Sequence, residues 1–307
     1  MDISVVTTLY YSEPYINEFY ERISGALQSI TNDYEIVFVN DGSPDNSLGA
    51  ALGIHEKDSR VKIVDLSRNF GHHKAVMTGL SLTTGDLVFL IDIDLEEEPE
   101  LLNKCHEVFK KTNDVDVVYC VQEKRKGKLF ERISGSAYYF LFNLLSSNYL
   151  PPNLIMARLM TRKYVQALIM HKESEVELGG IYSITGFKQI SLTVKKGSKD
   201  KTTYTLRKKL SLTIKSITGF SNRPLIYIAV LGAFILFLSF LYALYVFLVR
   251  VFVGEAPSGY MTIVLSIWFL GGLTIFSIGV IAIYLSVIFT EVKNRPYTII
   301  KNIYQKK

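Results

Sequence analysis

The first third of the chain is a series of short apolar runs rich in β-branched residues. ISVVTTL begins at Ile3, EIVFVN at Glu35, VKIVDL at Val61, DLVFLID at Asp86 and VDVVYCV at Val115. Segments with helical spacing of apolar positions separate them, notably 14–28, 72–82 and 98–111. Near-continuous strands alternating with helices predict an α/β architecture: a mostly parallel sheet covered on both faces. The pattern then changes. Residues 225–249 and 260–290 carry no charge over 25 and 31 positions. About 20 apolar residues suffice for a spanning helix, so two transmembrane helices are expected, with a short loop at 250–259. Between the two regions, 204–224 places Leu206, Leu210, Ile214 and Ile217 on one face and basic residues elsewhere, the pattern of an interfacial helix.

Charge refines this division. The net charge is +5, and the basic residues gather beside the spans. Arg207, Lys208, Lys209, Lys215 and Arg223 precede the first, and Lys293, Arg295, Lys301, Lys306 and Lys307 follow the second. The intervening loop has only Arg250. The basic bias predicts that the domain 1–203, the basic tail 291–307 and both termini are cytosolic, with the hairpin loop outside, as in a multi-pass protein of the cytoplasmic membrane. MDISVVTTLYY reads as strand without a basic flank, so no signal peptide is expected. Cys105 and Cys120 lack metal-ligand spacing and read as reduced thiols. The five histidines do not cluster beyond His72–His73, which argues against zinc. Nucleic acid is not expected as a partner, because the basic residues flank spans instead of interleaving with aromatics.

Candidate chemistry follows from what ends each strand, since ligands of such sheets sit beyond the carboxyl edge. Asp92 and Asp94, two apart after the fourth strand, point one way in an extended segment and suit a hard divalent cation shared with phosphate oxygens. Glu97, Glu98 and Glu100 read as the acidic first turn of the next helix, opened by Pro99. After the second strand, Ser43 and Pro44 read as N-cap and first helical residue. Asp41 and, after the first strand, Glu13 are placed to accept hydrogen bonds from a nucleobase or ribose.

NDGSPDNS, SRNFGHHKAVMTGL and GDLVFLIDIDLEEEPELL, in this order and spacing, resemble the inverting family two glycosyltransferases of the GT-A, Rossmann-like fold. More narrowly, the chain is similar to polyprenyl-phosphate glycosyltransferases, both the dolichol-phosphate mannose synthase group and bacterial bactoprenol-phosphate glucosyltransferases. The resemblance implies sugar transfer from a UDP- or GDP-linked donor to a polyprenyl phosphate, such as undecaprenyl phosphate, with Mg²⁺ or Mn²⁺. It assigns Asp92, Asp94 and Glu96 to the metal, Asp92 also to the donor diphosphate, and Thr8, Tyr10, Glu13, Asp41 and Arg68 to the donor nucleotide. Arg125, Arg132 and Ser134 fall at the acceptor phosphate, and Asp94, Arg125, Arg132 and Arg158 form the catalytic set. Where the family often has G-D-F-R-L-M, this chain reads Ile155-Met156-Ala157-Arg158-Leu159-Met160, so Met156 replaces a carboxylate. Two spans hardly cradle a long lipid, so self-association is expected. Two other readings compete. A polysaccharide synthase would carry Q-x-x-R-W, but the only Trp, Trp268, lies in the second span. A non-catalytic adaptor would bind nucleotide sugar without turnover.

Overall fold

The computed structural model describes residues 1–123, 153–173, 178–194, 223–253 and 259–306. The chain enters β1 (Ile3–Leu9), α1 (Ile16–Gln28), β2 (Tyr34–Asn40), α2 (Ser47–Lys57), β3 (Val61–Leu66), α3 (His72–Ser81), β4 (Leu87–Leu90), α4 (Leu101–Lys111) and β5 (Val117–Gln122). Then follow β6 (Leu154–Thr161), α5 (Arg162–Leu168), α6 (Leu178–Ile184) and β7 (Gln189–Val194). Two long helices, α7 (Arg223–Val253) and α8 (Tyr260–Val292), precede β8 (Ile300–Tyr304).

All eight strands join one mixed sheet in the order β7-β5-β6-β4-β1-β2-β3-β8. β1, β2, β3 and β4 run parallel, so their carboxyl ends share one edge. β6 runs antiparallel to both β4 and β5, and β7 is parallel to β5. Every residue of β1 and β2 is buried, as expected of central strands covered on both faces. α1 explains one cover. Its Ile16, Phe19, Ile23, Ala26 and Leu27 recur at helical spacing and pack on one side with Ile3, Val5, Phe38 and Phe89.

The expected α/β architecture and its five strands are present, and three strands are added. β6 and β7 come from stretches whose short runs mix polar and apolar residues. β8 corrects the picture of residues 291–307 as a plain basic tail. Ile300, Asn302, Ile303 and Tyr304 pair antiparallel with β3. Ile299 O accepts from Ser67 N at 2.9 Å, Thr298 Oγ1 meets Thr78 Oγ1 at 2.7 Å, and Lys306 Nζ donates to Glu56 O. The strand covers an edge that would otherwise be open for association.

α7 and α8 form a second unit, separate from the unit containing the sheet and Arg295–Lys307. Arg223–Val249 and Ser266–Val292 are long and apolar enough to cross a membrane. Neither window is buried within the protein, and Phe252 and Trp268 are about four-fifths exposed, so these are not core helices. The interfacial segment expected at 204–224 lies outside the described residues up to Asn222, as do 254–258 of the connecting loop.

Candidate functional site

The carboxyl edge of β1–β4 gathers four polar loops, each tied to a neighbour. Asp41, 2% exposed, follows β2. Its Oδ1 accepts from Phe70 N at 2.7 Å and its Oδ2 from Gly71 N at 3.0 Å. Burial raises its pKa against the lowering pull of those two amides and of His72 and Arg68. Asp41 thus clamps the β2 loop to the β3 loop, with both oxygens on backbone. The two glycines here have left-handed or related φ values: Gly42 at +59° and Gly71 at +102°. A Cβ on Gly42 would stand 2.4 Å from the Arg68 carbonyl carbon, so only glycine allows this approach.

Ser43 is not the helix cap expected of it. α2 starts at Ser47, and Ser43 instead accepts from Tyr11 N at 2.8 Å while donating to Asp45 Oδ1. Asp45 also accepts from Ser47 N and Ser47 Oγ, and its second oxygen from Glu13 N. Burial works against the Asp45 carboxylate, but the Ser43 and Ser47 hydroxyls and two backbone amides outweigh it and hold the pKa at about 2. The Glu13 carboxylate reaches Asn46 N at 3.4 Å. So Glu13 and Asp45 clasp the β1 and β2 loops. Beside them Tyr10 and Tyr11 are exposed, with rings edge-to-face at 4.9 Å. Arg68 is exposed, its guanidinium 4.2 Å from the Phe70 ring centroid.

Asp92 and Asp94 stand just past β4, both half-buried. Asp94 Oδ1 accepts from Glu96 N at 3.1 Å, and the chain turns through Leu95 at φ +61°. The sequence reading left out a partner. His72, first residue of α3, has Nδ1 2.9 Å from Thr8 Oγ1 and Nε2 3.5 Å from Asp92 Oδ1. Crowding by the surrounding protein, then the neighbouring His73, lowers its pKa to about 4, although the side chain keeps 40% of its surface open to solvent. The ring is therefore neutral at pH 7. If the Thr8 hydroxyl donates to Nδ1, Nε2 carries the hydrogen and turns it toward Asp92. The only sequence signal was a histidine directly after a loop glycine at this edge.

The acidic row divides unexpectedly. Glu97 is 1% exposed, and its oxygens accept from Met156 N at 3.1 Å and Ala157 N at 2.8 Å. It buckles the loop to β6 and does not belong to a helix turn, because α4 starts only at Leu101. Glu100 takes a two-pronged contact from Arg22, at 2.9 and 2.7 Å, which lowers its pKa. Glu98 is exposed, 3.8 Å from Lys104.

Among the described residues, no three His, Cys, Asp or Glu side chains converge as a metal cage, so Asp92, Asp94 and Glu96 are not assembled as a three-ligand set. Asp92 and Asp94 do fit Mg²⁺ or Mn²⁺ held by one or two carboxylates, with phosphate oxygens and water completing the shell. Arg158, opposite Leu90 on β6, is 1% exposed and stacks on Tyr182. Arg125, Arg132 and Ser134 lie outside the described residues.

A family model described as glycosyl transferase family 2 matches residues 4–168. A Mycobacterium tuberculosis (strain CDC 1551 / Oshkosh) protein described as putative glycosyltransferases is 46% identical over 304 residues, covering 99% of this chain and 89% of its own. The bactoprenol glucosyl transferase of Shigella phage SfV is 30% identical over 318 residues, 100% of each chain. Among solved structures, glucosyl-3-phosphoglycerate synthase from Mycobacterium tuberculosis in complex with phosphoglyceric acid aligns with a TM-score of 0.51 at 17% identity, over 71% of this chain and 78% of that one. At that identity the likeness bears on the fold.

Proposed function

The chain belongs to glycosyl transferase family 2 and is a glycosyltransferase; on that premise we propose that it moves a sugar, with inversion, from a nucleotide donor to a membrane polyprenyl phosphate. The observation that carries this reading is the acidic pair Asp92–Asp94 at the carboxyl edge, braced by His72, in a chain followed by two apolar helices. The full-length similarity to a bactoprenol glucosyl transferase supports the acceptor class. Enzyme status displaces the non-catalytic adaptor.

In this reading Tyr10 and Arg68 offer an aromatic face and a cation to the donor, while Asp41, Glu13 and Asp45 keep their loops in register. An acceptor phosphate oxygen attacks the anomeric carbon as the bond to the nucleoside diphosphate breaks. The electron pair leaves with the diphosphate. A divalent cation at Asp92 and Asp94 would neutralise charge building on that leaving group. A phosphate monoester is already anionic near neutrality, its second pKa being about 6, so Met156 in place of a carboxylate removes no necessary base. Its positioning falls to basic side chains.

The membrane arrangement is part of the proposal. β8 returns the chain to the sheet after α8, so covalent connection ties both ends of the helical pair to the domain bearing the acidic loop. That supports a hairpin crossing, with the domain and both termini on the cytosolic side. The test is a panel of nucleotide sugars, each with undecaprenyl phosphate and Mn²⁺, read out by mass of the lipid product. One sugar should add to the lipid, and Asp94→Ala should abolish the product. Transfer to water alone, or full transfer in EDTA, would refute the acceptor or the metal respectively.

A further inference from the structure

Near its carboxyl end β3 carries a buried carboxylate that the transfer chemistry does not use. Asp65, 3% exposed, stands in register with Asn40, the last residue of β2 and equally buried. Asn40 Nδ2 donates to Asp65 Oδ1 at 2.7 Å, and Asn40 Oδ1 accepts from Ser43 N at 3.2 Å. Ser43 Oγ in turn accepts from Tyr11 N. Taking a carboxylate out of water costs more than one hydrogen bond returns, so an apolar residue would serve the core better here. What the pair supplies is geometry: it fixes where the β2 loop leaves the sheet and, through Ser43, the loop of Tyr10 and Tyr11.

β8 reaches the same place from the other side. Its register against β3 shifts between Asp65 and Leu66, which pair with Asn302 and Ile300 and leave Lys301 between them. Such an irregularity re-aims a side chain, and Lys301 Nζ comes to 3.9 Å from Asp65 Oδ2. Lys301 is exposed, so the Asn40 bond carries the larger share. Ser67 N donates to Ile299 O at 2.9 Å, directly before Arg68. The loop that begins there abuts the β2 loop, where Gly42 faces the Arg68 main chain. Both loops are thus moored within residues 65–67, by contacts that lead to the strand following α8. We propose that Asp65 and β8 are positioning elements of the donor site, holding the β2 and β3 loops in the conformation that takes a nucleoside diphosphate. Asp65 touches no substrate; it acts through Asn40 and Ser43. The proposal rests on the donor reading above. Coupling of this kind is reciprocal, so bound nucleotide also strengthens the docking of β8.

Calorimetric titration of UDP and GDP, each with Mn²⁺, into the full chain in detergent tests this without turnover. Asp65→Leu leaves Asn40 Nδ2 without its acceptor, whereas Asp65→Asn keeps an amide oxygen there. Glu35→Gln removes a buried carboxylate at the far end of β2 and controls for stability. Asp65→Leu should weaken nucleotide binding about ten-fold, Asp65→Asn should recover most of it, and Glu35→Gln should bind as wild type does. Where Asp65→Leu does not fold, hydrogen exchange in wild type makes the test. Saturating nucleotide should slow exchange over residues 299–304 about ten-fold more than over β7, the opposite edge strand. Wild-type affinity in Asp65→Leu, or equal slowing at β8 and β7, overturns the proposal and leaves the donor reading standing. Equal weakening in Glu35→Gln overturns it too, as a mere effect of stability. A wild-type chain that binds neither nucleotide overturns the donor reading, and this proposal with it.

Discussion

Replacing Glu97 separates two explanations of the acidic row that make opposite predictions. If Glu97 were one more acid at a helix start, Glu97→Ala and Glu98→Ala would each cost a few tenths of a kcal/mol. The geometry says otherwise. Glu97 is 1% exposed and accepts from two backbone amides of β6, Ala157 buried and Met156 partly so, while Glu98 has a side chain 57% exposed beside a lysine. Leaving a buried donor unpaired costs about 1–3 kcal/mol, so Glu97→Ala should cost about 4 kcal/mol. Glu97→Gln keeps one acceptor oxygen but sets an NH₂ against the second amide, and should cost about half as much. Glu98→Ala should stay within about 0.5 kcal/mol. Denaturant unfolding gives the totals. Hydrogen exchange over the peptide containing Met156 and Ala157 locates them, with protection falling roughly a hundred-fold or more at about 1.4 kcal/mol per factor of ten. Unchanged exchange there in Glu97→Ala, or equal costs for Glu97 and Glu98, would refute the argument.

His72→Ala removes the contact behind Asp92, and on the proposed metal role it should raise the Mn²⁺ concentration for half-maximal transfer about ten-fold, with little change in circular dichroism. Truncation after Arg295 removes β8 and opens the β3 edge; a lower unfolding temperature and a shift to larger species on size exclusion are expected. Glu35 is 3% exposed; burial raises its pKa, but Ser4, Thr84 and Lys62 together outweigh that and leave it below the ordinary 4.5. A depressed folded pKa contributes stability above the unfolded value and loses it as pH falls through the folded one. Glu35→Gln should therefore cost on the order of 2 kcal/mol at pH 7, and the gap from wild type should narrow below pH 4.5 in acid-unfolding curves.

The parallel half of the sheet was legible because its strands are buried on both faces, which writes apolar, β-branched stretches with few polar interruptions into β1, β2 and β3. β8 was not. Its residues IKNIY are largely exposed and carry a lysine, so nothing local marks a strand. What makes it one is the free edge of β3, some 235 residues earlier, and pairing of that range leaves no trace in local periodicity. Helix starts failed for a related reason. Ser43-Pro44 looks like a cap, yet Asp45 gathers the Ser43 and Ser47 hydroxyls and delays α2 to Ser47.

The site was legible by position and not by role. Order and spacing put Glu13, Asp41, Arg68 and Asp92 at one edge. They set Asp41 and Asp92 alike toward a ligand, whereas a carboxylate's access to one depends on burial against distant backbone. Asp41 and Glu97 are both nearly inaccessible, and both spend their two oxygens on main-chain amides of another loop or strand. Asp92 and Asp94 are half-buried. A carboxylate taken out of water must find donors, and backbone amides of a neighbouring segment are the donors that cross-link loops. A carboxylate left partly in water keeps room to bind something that arrives. The buried acids here hold the frame within which the two partly open ones stand, so replacing the first kind should register in stability and exchange, and replacing the second in turnover.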